Sequence, residues 1–253
     1  MVYIITHKKC NFPTNTEEFA VIQAGAENNE DLGYLRDNVG DNISGLNPYF
    51  CELTGMYWIW KNVEVDYIGI CHYRRFFAEG KQIVNELKLR DALADYDLVL
   101  PKLDHFAVSV YKQYEYSSEH NISDLDMAIK CVSEKYPDYS DILNEVMIKR
   151  AFYPYNMMYM RKSLYHQYCE WLFTILFELM KQIPYTEYTG QKKRVFGYLS
   201  ERLLLVWIRK NKLKVKELNV VNTETKVTIK EKIFRRANSY LATYLGIDLR
   251  EQK

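Results

Sequence analysis

Asp66-Tyr-Ile-Gly-Ile-Cys-His-Tyr-Arg-Arg75 is the stretch on which the fold turns. Tyr67 to Cys71 form an unbroken apolar run, the pattern of a short strand buried on both faces. The run stops at an imidazole, a phenol and two adjacent guanidiniums. Ligands of open α/β sheets bind at strand ends, so a buried strand delivering cations makes His72, Arg74 and Arg75 candidate ligand-binding residues. Guanidinium forks match phosphate oxygens, and Arg74 or Arg75 is expected to grip a diphosphate. Adjacent residues of an extended chain point to opposite faces, so one of the two is expected at the ligand and the other in a structural ion pair.

Outward from this strand, the chain alternates between strand-like and helix-like segments. Val2 to Thr6 is β-branched and apolar and ends on His7-Lys-Lys9, and Phe19 to Gln23 is a second short strand candidate. Ala24 to Pro48 is an irregular stretch with four glycines and many Asn and Asp. Long ordered loops of this kind are usually functional. Glu52 to Asn62 is aromatic and helix-compatible. Further helices are expected over Ile83–Leu93, over Ser123–Lys135 with Ser123 as cap, and over Tyr139–Ile148, Ser163–Lys181 and Gly197–Arg209. Strands are expected over Tyr96–Leu100, stopped by Pro101, and over Asn156–Met160 and Lys214–Val220; His105–Tyr116 stays open. The alternation predicts an α/β fold with a mostly parallel sheet flanked by helices.

Composition bounds the function classes. The 253 residues are 48% hydrophobic and 26% charged with a net charge of +1, as in ordinary globular domains. The 22 tyrosines suit a carbohydrate-handling cleft, since rings stack on sugar faces, and equally suit a codon bias. Five dispersed cysteines without a CxxC read as free thiols in a reducing compartment. No apolar h-region opens the chain and no run approaches the ~20 residues that span a bilayer, so a cytoplasmic location is expected. From Trp207 onward there are 12 Lys/Arg against 5 Asp/Glu. Within that part, Ile233, Phe234, Ala237, Tyr240, Leu241 and Tyr244 recur at helical spacing beside Lys230, Lys232, Arg235 and Arg236. We therefore divide the chain into a domain over 1–220 and a basic amphipathic helical tail over 221–253. The tail either docks at an anionic membrane surface, making the protein peripheral, or packs on the domain. No nucleic-acid-binding motif accompanies the basic residues.

Two other groups carry candidate chemistry. Asp37-Asn-Val-Gly-Asp-Asn-Ile-Ser44 is either a contact loop for a ribose, base or sugar, through Asp41, Asn42 and Ser44, or a turn whose side chains bond their own backbone. No phosphate-binding glycine motif is present. Tyr116 and His120 place hydroxyl and imidazole groups together, and Arg194 to Arg202 opens a helix carrying Glu201. Asp124 and Asp126 read as first-turn helix acids, and Asn156-Met-Met-Tyr-Met160 as core packing.

Together Asp37-Asn-x-Gly-Asp-Asn-Ile-Ser44, Glu52-Leu-Thr-Gly-x-Tyr-Trp-x-Trp-Lys-Asn62, Tyr67-Ile-Gly-x-Cys-His-Tyr-Arg-Arg-Phe-Phe77 and Arg194-Val-Phe-Gly-Tyr-Leu-Ser-Glu-Arg202 resemble a family of bacterial capsular and exopolysaccharide glycosyltransferases, long catalogued as a domain of unknown function. Leu100-Pro-Lys102, Tyr155-Asn-Met-Met158 and Tyr168-Cys-Glu-Trp-Leu-Phe173 extend the resemblance over about residues 1 to 210. It implies a GT-A-like, Rossmann-type sheet and transfer of a sugar, in some relatives galactofuranose, from a UDP donor with inversion. The acceptor would be a saccharide or a lipid-linked saccharide. On this basis Thr6, His7, Asp41, Asn42, Ser44, His72, Arg74 and Arg75 are expected on the donor, with Tyr116, His120 and Arg194 on the acceptor. Glu201 is expected as the base, with Asp41 as its alternative. GT-A enzymes commonly hold Mn²⁺ or Mg²⁺ on an Asp-x-Asp at a strand end, where this chain has His72-Tyr-Arg-Arg75. Asp95-Tyr-Asp97 precedes a strand and reads as a false match, so metal dependence stays open. The rival reading is a non-catalytic carbohydrate-binding or scaffolding subunit of a polysaccharide assembly complex.

Overall fold

The computed structural model describes residues 1–12 and 18–224. The chain opens with β1 (Val2–Thr6), β2 (Phe19–Gln23) and β3 (Leu35–Arg36), then α1 (Asn47–Phe50) and α2 (Leu53–Asn62). Next come β4 (Tyr67–His72), β5 (Arg75–Glu79), β6 (Gln82–Ile83), α3 (Glu86–Ala92), β7 (Leu98–Pro101) and β8 (Asp104–His105). The segment left open by its sequence carries α4 (Val110–Glu115), followed by α5 (Ile122–Lys135), α6 (Ser140–Ile148), β9 (Ala151–Phe152) and β10 (Met158–Arg161). Two long helices, α7 (Lys162–Met180) and α8 (Val195–Lys210), precede β11 (Val215–Asn222). The strand β11 continues two residues past 220, and the basic tail beyond residue 224, with its amphipathic pattern, lies outside the described residues.

The main sheet runs β3-β2-β1-β4-β10-β7-β11-β5-β6. The expectation of a mostly parallel sheet needs correction: the sheet is mixed. β1 is parallel to β2 and β4, β2 to β3, and β7 to β11. In contrast, β10 is antiparallel to both β4 and β7, and β5 is antiparallel to β11, β4 and β6. The reason lies in connection length. Only Tyr73 and Arg74 separate the paired residues His72 and Arg75, and so short a link can only reverse the chain. By pairing with both β4 and β11, β5 closes β4, β10, β7, β11 and β5 into a small barrel. Hydrophobic run length reports burial but not strand direction, which is why the sequence could not distinguish these pairings.

Alternation along β1 assigns the two faces. Tyr3 and Ile5 join the larger core under all the helices except α3, whereas Val2 and Ile4 join a smaller core containing Phe76, Phe77 and Tyr159 and covered by α3. Helix α2 lies close on β1 because Gly55 has no side chain: a Cβ there would sit 3.1 Å from Ile5 Cδ1. Two local expectations change. Ser123 is not the cap of α5, which starts at Ile122 behind Asn121. Asp124 is buried and accepts a hydrogen bond from Tyr188 at 2.7 Å, so it is more than a solvated first-turn acid.

A close approach between buried strands gives a test of this topology. A Cβ on Gly69 of β4 would lie 2.7 Å from Tyr159 Cδ2 and 2.9 Å from Val2 Cγ2, both on fully buried side chains. Gly69→Ala is expected to cost about 1–3 kcal/mol through overpacking. Urea unfolding should show a lower midpoint with an unchanged slope; an unchanged midpoint would show that the β1–β4–β10 contact is looser than described.

Candidate active site

The parallel pairing of β1 with β4 sets Ile5 opposite His72, so the ends of both strands open on one edge of the sheet. The Tyr73 N–H donates to the Ile5 carbonyl at 3.2 Å, anchoring the hairpin turn there. Thr6 is buried, and its hydroxyl is used locally, donating to the Lys8 carbonyl and accepting from the Lys8 N–H. The exposed His7 stands edge-on to Tyr73 with ring centroids 5.2 Å apart. Its imidazole is held below the usual range by partial desolvation and by the charges of Lys8, Arg74 and Arg194. Arg74 sits in the turn, not on extended chain, and meets Glu224 at 3.6 Å; Lys8 meets the same carboxylate at 2.8 Å. Arg75 points elsewhere. Its guanidinium lies 4.3 Å from the Tyr155 ring centroid and has no carboxylate partner among the described residues.

Behind these cations lies a left-handed turn. Tyr155 and Asn156 have φ of 76° and 50°, a conformation that Asn tolerates and Tyr adopts only when held. Both ends of the Tyr155 peptide unit are held. Its carbonyl accepts from His72 Nε2, and its N–H donates to Glu201 Oε1 at 2.7 Å. A carbonyl cannot donate, so His72 carries its proton on Nε2; burial lowers its pKa and keeps it neutral. Asn156 is fully buried, and its Nδ2 donates to Glu52 Oε1 at 2.8 Å while the Ser200 hydroxyl lies 3.1 Å from its Oδ1. Glu201 Oε2 pairs with the buried Arg202 at 3.0 Å. Desolvation raises the Glu201 pKa against the opposing pull of Arg202, and Glu52 adds to the rise.

Helix α8 carries the site toward the acceptor candidates. Arg194 Nε lies 3.3 Å from Cys51 Sγ, and its guanidinium stands 5.5 Å from the Tyr198 ring centroid. His120 lies between Tyr114 and Tyr198, with centroids 4.1 and 4.4 Å away. Its Nδ1 donates to the Tyr114 carbonyl, which leaves Nε2 as a bare acceptor.

The structure therefore brings together His7, His72, Arg74, Arg75, Arg194, His120 and Glu201, with Thr6 beneath them. It does not bring Asp41, Asn42, Ser44 or Tyr116 into that group. Asp41 accepts from Tyr57 at 3.0 Å and is tied to Asn62 at the far end of α2 from Glu52. Asn42 bonds its own turn, through the Gly40 carbonyl and the Ser44 N–H. Ser44 is fully buried and donates to Asp37, whose carboxylate also accepts from the Gly25 and Ala26 N–H groups. Tyr116 is half exposed under Lys112. Asp95 and Asp97 precede β7, which runs in the same direction as β4, so they lie at the opposite sheet edge; Asp97 accepts from the Lys214 N–H.

Glu52, Tyr155, Asn156 and Cys51 escaped the sequence reading. Glu52 opens the aromatic helix motif and Asn156 the apolar run, and each carried a signal as the polar residue that breaks an otherwise apolar block. Among the described residues no three His, Cys, Asp or Glu side chains form a metal-holding group. The donor set at the strand end is cationic and does not suit a divalent ion. Among the same residues no helix is long and apolar enough to cross a membrane.

His120 provides a pH test. Burial, reinforced by Arg202, pushes its pKa from 6.5 down to about 3. Between those values the unfolded chain binds a proton there and the folded chain does not. Stability is thus fully present above pH 6.5 and falls as pH drops through the window, by at most about 1.4 kcal/mol per pH unit. His120→Gln removes this slope. Urea unfolding at neutral and mildly acid pH should show wild type losing more stability than the variant; parallel losses would place His120 in a water-like setting.

Residues 1–212 match the model of a family described as a domain of unknown function, DUF4422. No curated protein matches the chain. Among solved structures it is similar to the WbbM bifunctional glycosyltransferase in its apo form, with a TM-score of 0.80 and 32% identity. That similarity covers 88% of this chain and 45% of the other, so the chain spans less than half the length of WbbM. With its family model covering β1 to β10, the hairpin and the acid-bearing helix α8, the chain belongs to the DUF4422 family.

Proposed function

We propose that the protein is a glycosyltransferase that moves a sugar from a UDP donor to a saccharide acceptor. The observation that carries this is Arg75, a guanidinium without a carboxylate partner among the described residues, paired across from the last residue of β4 and against Tyr155, whose turn is held by two carboxylates. Such an arrangement separates the two charge demands of glycosyl transfer. Cations stand where a leaving diphosphate gathers negative charge, and carboxylates stand where an attacking hydroxyl sheds a proton. The likeness to a bifunctional glycosyltransferase supports the same chemistry. Galactofuranose as the sugar, inversion, a lipid-linked acceptor in capsule or exopolysaccharide synthesis, and work at the cytoplasmic membrane face complete the proposal.

In this scheme Arg75, with Arg74, Arg194 and the His7 ring, receives the diphosphate, and Tyr73 flanks the nucleotide. His120, Tyr198 and Arg194 offer a stacked ring surface and a hydrogen-bond acceptor to the incoming sugar. The strand-end residues supply positive charge themselves, so no step is routed through a divalent ion.

Calorimetry with UDP, followed by a screen of UDP-sugars for transfer and slow hydrolysis with and without EDTA, tests the proposal. Absence of UDP binding at millimolar concentration would favour a carbohydrate-binding subunit instead. Arg75→Ala should weaken UDP binding by about 1.5–3 kcal/mol, the range for hydrogen bonds to charged groups. Arg74→Ala should cost less, because Glu224 already engages Arg74. Unchanged UDP affinity in Arg75→Ala would remove the diphosphate assignment.

A further inference from the structure

The site holds two carboxylates, and their hydrogen bonds make them unequal. Glu201 has both oxygens engaged, Oε1 by the Tyr155 N–H at 2.7 Å and Oε2 by Arg202 Nη1 at 3.0 Å. Arg202 is 2% exposed and cannot lose its charge, so a proton arriving on Glu201 would leave a buried guanidinium without its counter-ion. Glu52 is half-buried just before α2. Its Oε1 is held by Asn156 Nδ2 at 2.8 Å, and its second oxygen has no hydrogen-bond partner among the described residues. The holder is itself fixed, since Asn156 is fully buried and the Ser200 hydroxyl lies against its Oδ1. One oriented oxygen and one open oxygen are what a general base needs.

We propose that Glu52 is the catalytic base of this site and that Glu201 is a positioning residue, acting through Tyr155 and Arg202. The proposal rests on the glycosyltransferase reading above. In the step, the acceptor hydroxyl oxygen bonds to the anomeric carbon of the donor, and its proton passes to Glu52 Oε2. The bond from the anomeric carbon to the β-phosphate oxygen breaks, and its electron pair leaves with UDP toward Arg75. Glu201 holds the left-handed Tyr155–Asn156 turn, and that turn presents Asn156 to Glu52 and the Tyr155 ring to Arg75. The charged and titratable groups facing Glu52 are His72 of β4, Cys51 of the α1–α2 link, Arg194 just before α8, and Glu201 of α8.

The test compares E52Q, E52D and E201Q in the full chain, by UDP calorimetry, thermal unfolding and transfer from the UDP-sugar selected by the screen. E52Q should bind UDP within about threefold of wild type and lose about 10²–10⁴-fold in transfer, the usual worth of a general base. Its residual rate should lack the acidic limb of the wild-type pH profile, and E52D should recover part of the rate. E201Q should melt at lower temperature and keep the acidic limb. Transfer by E52Q at the wild-type rate, or loss of the acidic limb in E201Q alone, overturns the proposal. Failure of the wild-type chain to bind UDP overturns the glycosyltransferase reading and this proposal with it, a result separate from a fully active E52Q.

Discussion

A guanidinium in the interior has to be neutralised where it stands, and Arg202 imposes that demand on the whole site. It is 2% exposed, and although burial lowers its pKa, a guanidinium keeps its charge. Its Nη atoms bond Glu201, the Tyr198 carbonyl and Gln113, and its plane lies 4.2 Å from the Phe152 ring centroid. Removing one partner of such a pair typically costs 3–5 kcal/mol, because the other charge is left bare. Glu201 is therefore fixed in place, and with it the Tyr155 peptide that joins α8 to the end of β4.

From that lock the division of the cleft follows. His72 reaches the Tyr155 carbonyl from one side and Glu201 the N–H from the other, so one peptide unit carries a strand end and a helix. The two-residue link after His72 then sends Arg74 toward Glu224 and Arg75 toward the Tyr155 ring. Arg75 and Glu52 are left without a direct ion pair among the described residues, whereas Arg74 and Glu201 are each paired. A further constraint comes from Cys51, whose φ of 53° turns the chain between α1 and α2 and sets Glu52 beside Asn156.

The irregular stretch before α1 shows a different balance. Its acidic and amide side chains satisfy backbone N–H groups: Asp37 accepts from the Gly25 and Ala26 N–H groups as well as the Ser44 hydroxyl, and Asn42 accepts from the Ser44 N–H. A loop that supplies its own hydrogen bonds is ordered without a partner, which explains how so long a segment is fixed on a compact sheet. The same composition that marked the stretch as ligand-binding is what its own backbone consumes.

Much of the molecule was legible in the order of its residues. The apolar runs of β1, β2 and β4, the periodic faces of α2, α7 and α8, and the cations after β4 could be read directly, because burial and period are local properties of sequence. His72, Arg75 and Glu201 could also be singled out, and the fold gathers them around Tyr155. Strand direction could not be read, since β10 shows the same apolar run in either orientation. Nor could the part played by Glu52 and Asn156, which lie 104 positions apart and acquire meaning only when a hydrogen bond joins them. Sequence alone determined what is buried and which charges the chain must accommodate. Tertiary structure decided which carboxylate is bound and which is open, because that depends on partners brought together by folding.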